Sequence, residues 1–197
     1  DVVPALENFG FVVLKEAPTR LDGLTANIHE FLLETGDGAT VDALFDRALL
    51  IEGAIASVLR GEAENDDFNK LVVLAGLTPR SVVWLRAWFR YLRQTGVSYS
   101  IATVVEALAR APKVTAALVA MFCAAHDPEV TGDRAAEMAA AARRFEDALK
   151  AVKAIDDDRI LRLLRAVVDA TLRTNAFAPQ AAEALAFKIE SRKVPTL

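Results

Sequence analysis

From Val41 onward the apolar residues of this chain recur at spacings of three and four, and glycine or proline breaks the pattern at intervals. Such punctuated periodicity fits a succession of short amphipathic helices and leaves no room for a large sheet after residue 40. Val41, Leu44, Phe45, Ala48, Ile51, Ile55 and Leu59 share one helical face, with Thr40 as N-cap and Gly61 as stop. A shorter helix is expected over 66–77, ended by Gly76 and Pro79. Over 81–95, Trp84, Leu85, Trp88, Phe89, Tyr91 and Leu92 fill a broad apolar face that Gly96 closes. Ser100 caps a helix over 101–110, Ala111 and Pro112 break it, and 113–125 resumes until Asp127 and Pro128. An exposed linker, 129–133, follows. Met138, Ala142, Phe145, Leu149 and Val152 then alternate spacings of four and three, a seam of about two heptads. That is too short for a free coiled coil, so an antiparallel hairpin with a helix over 158–173 is expected. Asp156, Asp157 and Asp158 suit the second helix's N-terminal dipole, and Asp158 with Arg162 and Asp169 with Arg173 stand at (i, i+4).

The beginning reads differently. Phe9 to Leu14 is an apolar run of strand length, and Asn27 to Leu33 alternates in part before the turn-forming Thr35, Gly36, Asp37 and Gly38. An antiparallel strand pair is expected there. Near the other end, Ala186 to Glu190 returns to alternation ahead of Pro195, an extended strand leaving toward a neighbouring domain. The fold class is therefore mainly α, a multi-helix segment with a short N-terminal β element and a C-terminal extended strand.

Composition narrows the function classes. A formal net charge of −4 removes the global attraction on which binding to nucleic acid or an anionic membrane relies. Cys123 is the single cysteine, so there is no internal disulfide and no CxxC metal site, as in a reducing, cytoplasmic compartment. No run approaches the roughly 18 apolar residues of a membrane span. The chain starts at Asp1 without a signal-peptide pattern and reads as a piece of something longer.

Catalytic motifs are missing. His29 and His126 have no second ligand at metal spacing, and there is no GxGxxG, GxxxxGK[ST] or GxSxG. Gly36, Asp37 and Gly38 read as a hairpin turn, and Cys123 as an inert buried thiol. No catalytic, cofactor-binding or metal-ligating residue is assigned. Two polar features stand out. Arg86, Arg90 and Arg93 form a stripe beside Trp84, Trp88 and Tyr91, which could stack bases or meet another domain. The acidic block of Glu62, Glu64, Asp66 and Asp67 offers a simpler reading, a structural corner neutralised by those arginines. In it Asn65 and Asn69 cap or turn the backbone, while Phe68 and Leu71 point inward and lock against Trp84 and Trp88. The second feature is Arg173, Thr174 and Asn175 at the end of an apolar helix, where short polar side chains can bind free carbonyls and turn the chain. A substrate contact is the alternative.

Those residues also carry a resemblance. Leu6-Glu7-Asn8-Phe9-Gly10-Phe11, the run Gly61-Glu62-Ala63-Glu64-Asn65-Asp66-Asp67-Phe68-Asn69-Lys70-Leu71-Val72, Ala75-Gly76-Leu77, Leu85-Arg86-Ala87 with Tyr91-Leu92-Arg93-Gln94, Asp156-Asp157-Asp158-Arg159-Ile160-Leu161-Arg162 and Thr171-Leu172-Arg173-Thr174-Asn175 occur in that order. The order resembles the very large bacterial NAD-specific glutamate dehydrogenases, in the region just before the catalytic domain. Two places depart from that pattern: Thr78-Pro79-Arg80, where the family has an aromatic-arginine pair, and Ala176-Phe177, where it has a bulkier aromatic pair. The resemblance implies a partial ACT-like β-β-α unit over 1–60, a helical segment over 61–128, a helical hairpin over 129–178 and an extended connector over 179–197 toward the catalytic domain. It implies a non-catalytic regulatory or scaffold fragment, with NAD bound only in the parent enzyme. The catalytic lysines, the aspartate and the dinucleotide loop would lie downstream. Implied partners are the neighbouring ACT-like and catalytic domains and further copies in a homo-oligomer, with neither nucleic acid nor membrane. The alternative is a free-standing helical interaction module without enzymatic activity.

Overall fold

A computed structural model describes residues 2–23, 25–35 and 40–195. The expected turn at Gly36, Asp37 and Gly38 lies outside the described residues. The chain divides into two compact units, Asp1–Leu74 and Ala75–Leu197.

In the first unit, helix α1 (Val2–Asn8) leads into strand β1 (Phe11–Arg20), which pairs antiparallel with β2 (Asn27–Thr35). The first strand therefore starts at Phe11 instead of Phe9, whose backbone N–H still closes the end of α1 on Ala5 and Leu6. The pairing shifts between Val13 and Lys15, a bulge at Leu14. One face of the hairpin packs on α1; Val12, Leu14, Ile28 and Leu32 are exposed.

The helix expected over 41–59 is two helices, α2 (Val41–Phe45), capped by Thr40, and α3 (Ala48–Leu59). Arg47 leaves helical geometry between them and its guanidinium donates to the carbonyl of Val72 at 2.9 Å. Helical spacing held while the face did not, since Val41, Phe45 and Leu59 are exposed and Ile51, Ala54 and Val58 are buried. At the C-terminus of α3, Gly61 adopts φ +73°, its N–H bonds Val58 and the next N–H, of Glu62, reaches back to Ser57. This paired closure needs a left-handed residue, which is why the stop is glycine. A 3-10 turn (Asp67–Asn69) and α4 (Lys70–Leu74) replace the longer helix expected over 66–77.

In the second unit, α5 (Pro79–Gln94) begins two residues earlier than expected because Thr78, not Ser81, is its cap, with Pro79 in the first turn. Ser100 caps α6 (Ile101–Arg110) through the N–H of Thr103 at 3.1 Å. Pro112 opens α7 (Pro112–His126), and the two helices bend by 98° at Ala111. Among the described residues no single helix is long and apolar enough to cross a membrane.

The third helical pairing differs from expectation. The alanine-rich α8 (Arg134–Leu149) runs back along α7, not along α9 (Ile155–Ala170). Both α7 and α8 are studded with alanine, so their backbones can approach closely, and Arg134 ties the loop by donating to the carbonyls of Ala124 and Asp127 at 2.8 Å each. Of the seam residues Phe145 and Leu149 are buried, whereas Met138 is exposed. The leucine-rich α9 packs instead against α5, α6 and α7, burying Ile160, Leu161, Leu164, Val167 and Val168. It ends at Ala170, earlier than expected; β3 (Thr171–Thr174) follows and pairs antiparallel with β4 (Phe187–Ile189). The C-terminal strand thus folds back on its own unit.

Phe68 is fully buried, while Glu62 is exposed and pairs with the neighbouring Arg60 at 2.9 Å. Urea unfolding of Phe68→Ala is expected to show a loss of about 3–5 kcal/mol. Glu62→Gln should leave the midpoint unchanged, and the opposite ranking would overturn the corner as a packing device.

Candidate functional site

The acidic corner assembles locally. Asp66 accepts the N–H of Phe68 at 3.1 Å and so caps the 3-10 turn, and Asn69 donates to the carbonyl of Glu64 at 2.9 Å. Asn65 accepts from Asn8 at 3.0 Å, joining the corner to the end of α1. Asp67 holds Lys70 at 2.7 Å, and Arg60 holds the Glu62 carboxyl below the usual carboxylate range through its hydrogen bond. Local cations thus answer Glu62 and Asp67. Arg86, Arg90 and Arg93 stand on α5 in the second unit: Arg86 is buried, and Arg90 and Arg93 are exposed. Trp84 and Trp88 are core residues there, not a surface platform.

The second unit converges on a site that sequence reasoning missed. Phe122 is fully buried with its ring centroid 4.9 Å from Trp84, 5.1 Å from Trp88, 5.8 Å from Phe177 and 6.0 Å from Phe187. Arg80 covers one side of this cluster. Its guanidinium lies 5.6 Å from the Trp84 ring and 5.1 Å from the Phe177 ring, and it donates to the carbonyl of Ala176. Arg80 and Ala176-Phe177 were the two places where the sequence left the family pattern. The fold makes them one contact, an arginine from the first turn of α5 latching the turn after β3.

That turn is built by polar side chains. Thr174 Oγ1 donates to Ala186 and accepts the N–H of Ala176, while Asn175 donates to Ala184 at 2.7 Å and accepts from the N–H of Ala186 at 2.8 Å. Arg173, by contrast, points its strand position outward and is exposed. Asp169 pairs with Arg165 at 3.2 Å and not with Arg173, because the helix has already ended. Asp158 and Arg162 pair at 2.8 Å.

The titratable groups nearby, Cys123 and His126, are partly exposed. Burial pushes the Cys123 thiol up, with Asp127 adding to the rise and Arg80 opposing it. His126 lies 5.0 Å from the Phe122 ring; its Nε2 is buried and, among the described residues, has no partner. Burial, then the Arg134 charge, lowers its pKa from the ordinary histidine value. His29 pairs with Glu16 across the hairpin at 2.6 Å. Among the described residues no three His, Cys, Asp or Glu side chains gather as a metal site. A cleft of about 480 Å³ lies between the starts of α7 and α9 beside the Arg110–Asp157 pair. That pair is bidentate, at 2.9 and 2.8 Å, and holds the guanidinium charged.

Three families match consecutive stretches of the chain. They are described as glutamate dehydrogenase, ACT3 domain (residues 1–44), glutamate dehydrogenase, helical motif 3 (63–128), and bacterial NAD-glutamate dehydrogenase, catalytic domain (144–197). The chain is 36% identical to the NAD-specific glutamate dehydrogenase of Mycobacterium tuberculosis and 33% identical to that of Pseudomonas aeruginosa, each over 100% of its length. It is 33% identical to the Halomonas elongata enzyme over 98%. The chain belongs to the NAD-specific glutamate dehydrogenase family. It spans 12–13% of the length of these curated relatives. Within the family frame, the Arg80 latch and the Phe122 cluster join residues matched to helical motif 3 with residues matched to the start of the catalytic domain.

Two measurements check this site. Arg80→Met is expected to destabilise by about 2 kcal/mol, from a lost charged hydrogen bond and cation–π contact, and to alter the near-ultraviolet signal of Trp84. Histidine with a lowered folded pKa binds protons more readily when unfolded, so its contribution is complete above about pH 6.5 and is lost as pH falls below it. His126→Asn should therefore flatten the fall in stability between about pH 6.5 and 5, and an unchanged slope would show that His126 is not the group responsible.

Proposed function

We propose that this chain is a non-catalytic scaffold of an NAD-dependent glutamate dehydrogenase, carrying the end of an ACT-like regulatory unit into the head of the catalytic domain. The parent would oxidise glutamate to 2-oxoglutarate and ammonia with NAD, as a cytoplasmic homo-oligomer. One observation carries the reading: residues 75–128 of the matched helical motif and the matched catalytic segment lie in one compact unit and share the Phe122 cluster. A junction built as a common core transmits displacement instead of absorbing it, which is what a regulatory scaffold requires.

The proposal leaves no chemistry to the fragment. No phosphate-cradling glycine loop is present in its sequence, and its conspicuous polar groups are engaged in turns and local pairs. Calorimetric titration of the 197-residue chain with NAD is expected to give no saturable heat, and glutamate with NAD no NADH absorbance. The same chain extended through the remaining catalytic sequence should form NADH from glutamate. Saturable NAD binding by the fragment would overturn the scaffold reading, and an extended enzyme indifferent to glutamate would overturn the assigned substrate.

A further inference from the structure

The β3–β4 ribbon presents a charge arrangement that costs stability. Arg173 and Lys188 are direct cross-strand partners in the antiparallel register, and both are exposed. Directly opposed residues project to the same face with Cβ atoms roughly 5 Å apart, where like charges repel. Among the described residues neither has an ion-pair partner. The acids nearest in sequence are committed elsewhere, Glu190 to Lys193 at 2.7 Å and Asp169 to Arg165 at 3.2 Å. Arg192 and Lys193 follow in the next turn and are exposed too.

The ribbon is two-sided in chemistry. Phe187 turns to the Phe122 cluster, at 6.0 Å, so the inner side is fastened to the core. The outer side carries the two cations, with Leu172 exposed beside them and, among the described residues, no third strand along either edge. The charge sits in a matching context. Residues 75–197 hold 18 Lys and Arg against 13 Asp and Glu, whereas residues 1–74 hold five against 14.

We infer that the outer face of the β3–β4 ribbon is a docking surface for an extended acidic protein segment, whose carboxylates lie between Arg173 and Lys188. A bound row of carboxylates converts the repulsive pair into a charge-assisted one, and an open ribbon edge suits an extended chain. The tryptophans of the unit are buried, which removes the stacking platform that a single-stranded nucleic acid would use. The inference stands independently of the scaffold reading, because it concerns this chain's own ribbon.

The test uses the 197-residue chain and a fluorescein-labelled hexapeptide alternating Glu and Val, read by anisotropy. Binding is expected for this peptide and not for its Lys-Val counterpart, weakening at least tenfold from about 50 to 300 mM salt. Lys188→Glu separates function from folding: it should weaken the peptide at least tenfold while raising the thermal midpoint, since the like-charge pair becomes an attractive one. Arg173→Leu should weaken the peptide without lowering the midpoint. Three outcomes would overturn the proposal. They are equal binding of both peptides, tighter binding of an oligothymidylate than of the acidic peptide, or a Lys188→Glu variant that binds normally. Competition by free phosphate at low millimolar concentration would also overturn it, in favour of a small-anion site.

Discussion

The second unit depends on the burial of one phenylalanine ring. Phe122 comes from the last turns of α7, yet it is met by Trp84 and Trp88 from α5 and by Phe177 and Phe187 from the segment after α9. Aromatic side chains bury large areas, and tilted or edge contacts of this kind add to the area term. Because the contributors are far apart in sequence, the cluster forms only when α5, α7 and the β3–β4 ribbon are all in place. The Arg80 latch then fixes the turn whose Phe177 closes the cluster. Local geometry serves the same end: Thr78 sets the first turn of α5 and so the position of Arg80 two residues later.

Electrostatics plays a second, more local part. Most charged contacts join neighbours on one helix or one turn, as with Lys70 and Asp67, Arg162 and Asp158, and Lys150 and Asp147. Exposed pairs of this kind contribute little, roughly 0–1 kcal/mol where they can be measured. The Arg110–Asp157 pair is of another kind, since Asp157 is buried and the two side chains span α6 and α9. Its bidentate geometry fixes direction as well as distance, orienting the start of α9 on α6. The acidic first turn of α9 therefore does more than complement a dipole: Asp157 pins the helix, Asp158 pairs along it.

What could be read in the sequence follows from the range of the forces involved. Thr40, Ser100, Gly61 and Gly96 announce helix ends because caps and left-handed stops are decided within a few residues. Periodicity likewise marked the helices. It could not say which helix α8 would join, since small alanines fit either neighbour, nor that Val41 and Phe45 would be exposed, since spacing defines a face and not what covers it. The end of α9 was misjudged by three residues for a related reason. Thr171 to Thr174 lie on a continuing apolar pattern, and only pairing with β4, 13 or more residues later, makes them a strand. Asn69 and Asn175 form turns as short as their local side-chain chemistry requires, whereas the cap of the 3-10 turn is Asp66, expected only as one of four crowded acids, and Asn65 bonds Asn8 instead. Phe122 and Arg80 were not, because their role exists only in three dimensions.

The family boundaries and the folding boundaries fall in different places, and that mismatch has a physical consequence. The match to helical motif 3 runs from 63, in the first unit, to 128, and that to the catalytic domain begins at 144, inside α8, so the break between the two matches falls within the unit Ala75–Leu197. A close-packed core has few voids and little tolerance for sliding, so a displacement of α5 or α7 must be felt at Phe177 and Phe187. Cutting between the two matches would leave Phe122 without two of its ring neighbours, Phe177 and Phe187, and Asp157 without Arg110. The smallest piece that keeps this core must therefore include the helices before the boundary together with the ribbon after it. A displacement of the helices in such an arrangement need not cross an interface, because the segment matched to the catalytic domain already belongs to the same core.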